Sequence, residues 1–136
     1  MKTIFLDIDG VLTCRKTGWR FSTEALVHLH ELLKDSGAAI VITSSWREEN
    51  LKKTLLRLPA LIAENTVAQT PNLPGKTRGE QIRAWLEENP CKSFVILDDE
   101  TDEYDEMLKL RLVHTDMETG LDEHAVSRAA NLLEHP

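Results

Sequence analysis

The sequence is poor in the residues that mark specialised architectures. It has two cysteines, Cys14 and Cys91, and aromatic residues make up only 5% of its 136 residues. Two cysteines so far apart exclude a disulfide-stabilised scaffold and a cysteine-rich zinc centre, and we expect two free thiols. No apolar run approaches the roughly 18 residues of a membrane span, and the first residues lack a signal-peptide pattern. These absences predict a cytoplasmic protein with no membrane partner.

Basic residues are also in the minority. The chain carries 23 acidic against 16 basic residues, a net charge of −7. A general nucleic-acid or anionic-membrane binder needs a basic surface, so the balance argues against that class but allows a basic patch within a site. The rest of the composition is ordinary, with 41% hydrophobic and 29% charged residues and no internal repeat. Length and composition predict one domain over residues 1–136.

Apolar strand patterns alternate with helical patterns along the chain. The predicted strands are 3–8, 38–43, 93–97 and 112–115, and the predicted helices are 22–36, 46–58, 77–89 and 122–134. Residues 59–75 are less clear and favour one short strand, at either 61–63 or 66–68. This alternation predicts an α/β fold, a three-layer, Rossmann-like parallel sheet with helices on both faces.

Two carboxylates follow the first predicted strand. Asp7 and Asp9 lie two residues apart, and Gly10 comes directly after them. Residues at this spacing on a strand share one face, and glycine allows the sharp turn that would follow. Carboxylates this close repel each other unless a cation lies between them or one of them is protonated. The pair therefore suggests a metal site, or one nucleophile beside one acid.

Polar residues end two further strands. Thr43 and Ser44 follow the second strand, and Asp98 and Asp99 follow a later one. Sites in open parallel sheets form at the carboxyl ends of strands, so these side chains are expected to meet Asp7 there. Carboxylates with room for water and phosphate suit Mg²⁺ better than zinc. One carboxylate could attack a phosphate while another protonates the leaving oxygen.

Four motifs in order resemble the haloacid dehalogenase superfamily, in its phosphatase branch. The first is Asp7-Ile-Asp-Gly-Val and the second is Ile42-Thr43-Ser44. The third is a basic residue that opens a helix, Lys76 or Arg78, and Arg78-Gly79 followed by Ile82 fits this pattern better. The fourth is Ile96-Leu97-Asp98-Asp99, with Asp102 shortly after.

The resemblance implies roles for these residues. Asp7 would be the nucleophile and Asp9 the general acid–base, with Thr43 and Arg78 completing the catalytic set. Asp7, Asp9 through its backbone carbonyl, and Asp98 would hold Mg²⁺, and either Asp98 or Asp99 could face the metal. For the second motif Ser44 remains an alternative to Thr43, and Asp102 could be only a helix N-cap.

A finer resemblance concerns the substrate. Ser44-Ser45-Trp46-Arg47 and Arg78-Gly79-Glu80 are similar to a subgroup without a cap domain that also occurs in multidomain RNA-repair proteins. This implies an open site for a phosphorylated substrate such as a nucleic-acid end or nucleotide. The candidate substrate-binding residues are Ser44, Arg47, Lys76 and Arg15. For Arg47 the alternative is an ion pair with Glu48 or another carboxylate.

The predicted function is that of a Mg²⁺-dependent phosphomonoesterase that hydrolyses phosphate through an aspartyl-phosphate on Asp7. Two alternatives stay open at this point. One is a non-catalytic module that binds a phosphorylated ligand, and the intact Asp7 and Asp9 pair argues against it. The other is a phosphotransferase of the same fold, which would pass the phosphate to an acceptor other than water.

Overall fold

The computed structural model describes residues 1–136 and contains five strands and six helices. The strands are β1 (Lys2–Leu6), β2 (Ala39–Ile42), β3 (Thr66–Gln69), β4 (Ser93–Asp98) and β5 (Leu112–His114). The helices are α1 (Thr23–Ser36), α2 (Leu51–Leu55), α3 (Ala60–Asn65), α4 (Arg78–Glu88), α5 (Glu106–Lys109) and α6 (Glu123–Glu134). A single 3-10 turn, Arg15–Thr17, lies between β1 and α1.

All five strands form one parallel sheet in the order β3-β2-β1-β4-β5. Leu6 at the end of β1 pairs with Ile42 of β2 and with Leu97 of β4. The residues that follow these three partners therefore form a row across the carboxyl end of the sheet. The α/β fold class and the parallel sheet predicted from the sequence are confirmed.

Helices cover both faces of the sheet, and each face has its own apolar core. Side chains alternate along β1, so Ile4 and Leu6 face the larger core with α1 and α6. Phe5 points to the other face and packs edge-on against Trp85 of α4, with ring centroids 5.6 Å apart. Trp85 is thus a core residue.

Most predicted helix ends match the structure because their capping residues can be recognised. The Ser22 side chain accepts a hydrogen bond from the Ala25 amide, which begins α1, and Gly37 ends it in a left-handed conformation. The Thr77 side chain caps α4 in a capping box with Glu80. These ends agree with the sequence prediction to within a residue or two.

The helix predicted over 46–58 is wrong at both ends, since the structure has a helix only over Leu51–Leu55. The Ser44 hydroxyl accepts a hydrogen bond from the Trp46 amide, which closes a local turn instead of starting a helix. The helix begins only after Asn50, whose side chain accepts from the Lys53 amide. A serine side chain can cap a turn or a helix, and here the turn is preferred.

The segment 59–75 contains both a helix and a strand. Residues 61–63 belong to α3, which follows Pro59 and buries Ile62, so that alternative for the strand is wrong. The strand is β3, at the edge of the sheet beside β2, in agreement with the alternative at 66–68.

No cap domain covers the carboxyl end of the sheet, since the links after β1 and β2 contain only short turns and the helices named above. Cys14 and Cys91 are free thiols. No helix is both long enough and apolar enough to cross a membrane.

Candidate active site

The end of β1 places a buried carboxylate in the middle of the row. Asp7 is almost fully buried, and its amide donates to the Leu97 carbonyl while the Thr43 amide donates to the Leu6 carbonyl. Asp7, Asp98 and Asp99 each offer a carboxylate oxygen, and these oxygens lie within 4.8 Å of one another. The sheet register thus brings together three of the four carboxylates that the sequence predicted to meet.

Burial and mutual repulsion change the acidity of this cluster. Burial, followed by the charge of Asp98, raises the pKa of Asp7 from 3.8 to about 8, although Arg78 lowers it. Burial and Asp98 also raise the pKa of Asp99. Three carboxylates cannot all stay ionised beside a single guanidinium, so the cluster favours a bound cation or a proton.

The guanidinium beside the cluster belongs to Arg78, the first residue of α4. Its Nη1 lies 3.1 Å from Asp7 Oδ2 and 2.9 Å from Asp98 Oδ2. Lys76 lies outside the cluster, with an exposed side chain 3.8 Å from Glu80. Of the two candidates for the third motif, the structure places Arg78 against the predicted nucleophile.

The two neighbouring aspartates of the fourth motif differ in their surroundings. Asp98 Oδ2 accepts hydrogen bonds from Arg78 and, at 2.5 Å, from the Tyr104 hydroxyl, while Oδ1 accepts from the Glu100 amide. Asp99 packs against Gly10, where a Cβ would stand 2.3 Å from its Cγ. Both oxygens of Asp98 therefore already accept hydrogen bonds from protein donors, and the carboxylate of Asp99 is better placed to bind an added ligand.

Asp9 stands apart from the acidic cluster. Its side chain is exposed, and its two oxygens accept hydrogen bonds from the Thr13 hydroxyl at 2.8 Å and from the Trp46 Nε1 at 3.1 Å. Its carboxylate is not among the three that converge, so a metal contact from Asp9 would have to use its backbone carbonyl, as the resemblance implies.

The two hydroxyls of the second motif have different partners. The Thr43 Oγ1 is buried and has no hydrogen-bond partner. The Ser44 Oγ is occupied by the Trp46 amide. Since buried polar atoms are nearly always paired, Thr43 is the hydroxyl that is free to bind an added oxygen in the row with Asp7.

The predicted substrate-binding arginines already have protein partners. Arg47 Nη1 lies within 3.2 Å of acceptors on Thr70, Pro71 and Gln81. Its predicted alternative, an ion pair with Glu48, is wrong because Glu48 pairs with Arg57 at 2.9 Å. Arg47 instead ties the loop after β3 to α4.

Arg15 lies in the exposed loop between β1 and α1. Its Nη1 forms an ion pair with Glu118 at 2.9 Å, and both side chains are more than half exposed. An exposed ion pair of this kind contributes little stability, so Arg15 could exchange Glu118 for a phosphate at small cost.

Sequence reasoning missed Tyr104. Tyr104 lies within the acidic stretch 98–106, yet its side chain is buried and its hydroxyl donates a hydrogen bond to Asp98. Asp105, not Asp102, caps the short helix α5, and Asp102 is exposed. The only sequence feature that could have indicated a role for Tyr104 is that it is the single aromatic residue in this acidic stretch.

A parallel α/β sheet with aspartates at the ends of two adjacent strands, and a basic helix start beside them, is the arrangement of a HAD-like domain. Within that class, the chain belongs to the family described as the HAD domain in Swiss Army Knife RNA repair proteins, whose family model matches residues 3–126. No curated protein and no solved structure matches the chain.

Proposed function

We propose that the protein is a Mg²⁺-dependent phosphomonoesterase that works through a phosphorylated Asp7. The observation that carries this proposal is the position of the Asp7 carboxylate, buried within a cluster of aspartates and in contact with Arg78. A non-catalytic binding module has no need of a buried nucleophile whose ionisation costs so much free energy.

The donor set fits a magnesium ion. The candidate ligands are Asp7, Asp99 and Asp98, all of them oxygen donors of the kind that Mg²⁺ prefers. Arg78, Tyr104 and a backbone amide already donate hydrogen bonds to the carboxylate of Asp98. We therefore propose that Asp99, rather than Asp98, is the main metal ligand beside Asp7. When bound, Mg²⁺ would offset the charge of the carboxylates and polarise the phosphate.

Each of these side chains has its own role in the proposed reaction. Asp7 attacks phosphorus, and Asp9 protonates the departing ester oxygen. Arg78 and the free hydroxyl of Thr43 bind phosphate oxygens as charge shifts onto them. Asp9 then takes a proton from the water that hydrolyses the aspartyl-phosphate, so Asp7 is restored.

The proposed substrates are nucleic-acid ends or nucleotides. Two features support this choice: the family occurs in RNA-repair proteins, and the site has no cap domain to exclude a bulky substrate. The loop 10–21 adds Arg15, Lys16 and Arg20 without an acidic residue. Together with Lys76, these exposed cations are candidates for phosphates beyond the one that is cleaved.

A phosphate-release assay tests the proposal. The panel would hold p-nitrophenyl phosphate, nucleoside monophosphates, oligonucleotides phosphorylated at either end, and a phosphopeptide, each with Mg²⁺ and with EDTA. We expect Mg²⁺-dependent release, strongest on one class of oligonucleotide end. Asp7→Asn should abolish it, whereas Asp35→Asn, an exposed carboxylate on α1, should not.

The outcomes separate the candidate functions. Release from small phosphates alone would retain the enzyme and reject the nucleic-acid substrate. Transfer of phosphate to an added nucleoside or alcohol, with little free phosphate, would identify a phosphotransferase. Activity of Asp7→Asn equal to that of the wild type would reject the mechanism.

A further inference from the structure

The general acid of the proposed reaction is held from two sides. Thr13 donates to Asp9 Oδ1 and the Trp46 indole donates to Asp9 Oδ2, so each carboxylate oxygen faces a different protein donor. The motif resemblance assigned no role to the tryptophan. Its contact joins the loop after β1 to the turn after β2, two segments far apart in sequence.

Trp46 is itself fixed in place by its neighbours. Phe21 packs edge-on against its ring, with centroids 5.4 Å apart, and the Arg57 guanidinium lies 5.1 Å from the ring centroid. Its amide donates to the Ser44 hydroxyl, and its carbonyl accepts from Arg57. The indole therefore presents its N–H from a packed position, while Asp9 itself is exposed.

The two donors to Asp9 are not equivalent. A threonine hydroxyl can donate or accept, whereas an indole N–H can only donate. The oxygen that faces the indole must therefore act as an acceptor, which fixes the orientation of the Asp9 carboxyl group. We propose that Trp46 is a positioning residue that orients the carboxyl group of Asp9 for its role as general acid, an inference that rests on the proposed function.

The step is simple in its chemistry. A bond forms between an Asp7 oxygen and phosphorus while the bond from phosphorus to the ester oxygen breaks. The electron pair of the broken bond stays on the ester oxygen, which takes the proton from the Asp9 carboxyl group and leaves as the alcohol. Poor leaving groups need that proton, whereas p-nitrophenolate departs without it.

Trp46→Phe removes the indole N–H and keeps an aromatic ring. We expect kcat/KM for phenyl phosphate to fall by about tenfold to a hundredfold, as expected for a misplaced catalytic group. For p-nitrophenyl phosphate, which has nearly the same shape, the loss should stay below about threefold. The control is Trp85→Phe, which removes a core indole that makes no contact with Asp9 and should not discriminate between the two substrates.

A double-mutant comparison tests whether Trp46 acts through Asp9. Asp9→Asn should itself show the selective loss with phenyl phosphate, and adding Trp46→Phe to it should change kcat/KM little further. Equal losses with both substrates, or multiplied losses in the double variant, would overturn the positioning role. Inactivity of the wild type towards every phosphate would instead reject the proposed function.

A second measurement does not depend on the folding of the Trp46 variant. In the nuclear magnetic resonance spectrum of the metal-free wild type, the Trp46 indole proton should shift on substitution of Asp9→Asn, while those of Trp19 and Trp85 stay in place. An unchanged Trp46 resonance would reject the contact on which the inference depends.

Discussion

The charge state of Asp7 depends on a small number of neighbours. Its carboxyl is buried beside Asp98 and Asp99, and Arg78 is the cation in direct contact with Asp7 and Asp98. With a pKa of about 8, Asp7 carries a proton at neutral pH in the metal-free protein. In the proposed reaction a bound cation would favour the ionised form of this carboxyl, which is the nucleophilic form.

The first prediction concerns stability and pH. Between pH 3.8 and about 8, folded Asp7 binds a proton that the unfolded chain releases. The free energy of unfolding of the metal-free protein should therefore fall as pH rises through this range. Asp7→Asn, a neutral isostere, should be the more stable protein at pH 8 in EDTA by a few kcal/mol, because each pKa unit corresponds to about 1.4 kcal/mol.

Urea unfolding at pH 5 and pH 8 measures this difference. The advantage of Asp7→Asn over the wild type should be larger at pH 8 than at pH 5. Asp35→Asn, on the exposed side of α1, should follow the wild type at both values. Parallel stability curves for Asp7→Asn and the wild type would contradict the raised pKa.

Individual site residues differed in how far the sequence revealed them. Asp7, Asp98 and Arg78 were recognisable because each follows a strand or opens a helix in a fixed order. Tyr104 and Trp46 were not assigned roles, since their contacts with Asp98 and Asp9 depend on how loops fold back over the sheet. Their spacing to those partners carries no periodic signal.

Among the elements, α4 carries Arg78, and its first turn packs closely against a neighbouring loop. Gly79 lies against the segment that contains Tyr104, and its amide donates to the Glu103 carbonyl. A Cβ at this position would stand 2.7 Å from that carbonyl oxygen and 3.1 Å from Leu108 Cδ1. The absence of a side chain lets the start of α4 approach the acidic loop closely enough for Arg78 to reach both aspartates.

The second prediction is that Gly79→Ala destabilises the protein. Alanine favours a helix over glycine by up to about 1 kcal/mol, but a clash with a backbone oxygen forces the helix outward. We expect a net loss of about 1–2 kcal/mol in the free energy of unfolding and a lower kcat for phosphate release, since Arg78 moves with the helix. Denaturant unfolding and the phosphate assay measure the two effects.

Glu87→Ala is the matched control on α4. Its side chain is exposed, so stability should change by less than about 0.5 kcal/mol. If Gly79→Ala were as stable and as active as Glu87→Ala, close approach at the start of α4 would not matter for the site.

Long elements were easier to predict than short ones. α1 and α6 have a clear apolar face and a recognisable capping side chain at each start. α2, α3 and α5 have four to six residues each, too few for a helical period to emerge. Their bounds depend on side-chain contacts, such as the bond from the Thr54 hydroxyl to Gln69 on β3.

At the scale of the whole molecule, alternation of strands and helices was enough to predict the parallel sheet. The strand order was not predicted, because it depends on which helices cover which face. The order places β1 between β2 and β4, and this alone brings Asp7 beside both Thr43 and Asp98. The convergence of Asp7, Thr43 and Asp98 is therefore a property of the complete sheet.

The third prediction is that Mg²⁺ stabilises the whole domain. A ligand that binds only the folded state at a hundred times its Kd adds about 2.7 kcal/mol, which for a chain of this size raises Tm by roughly 10 °C. We expect this rise in a thermal scan at pH 8 when Mg²⁺ replaces EDTA. Asp99→Asn should largely lose it, while Asp35→Asn should keep it.

An equal rise in Tm for Asp99→Asn and the wild type would indicate diffuse binding to the acidic surface and would contradict a site at the strand ends. A rise that is lost at high ionic strength for the wild type would point to the same conclusion, because diffuse binding is screened by salt.

The central position of β1 also has a consequence for biosynthesis. Asp7 and Asp9 leave the ribosome early, but Arg78 and Asp98 come from the second half of the chain. Until α4 and β4 dock beside β1, Asp7 has neither Arg78 nor Asp98 beside it and the site is incomplete. Contacts between such distant segments are slow to form, because closing the chain between them costs conformational entropy. The proposed activity is thus acquired only after nearly the entire sheet has assembled, and a nascent chain that ends before β4 is expected to be catalytically silent.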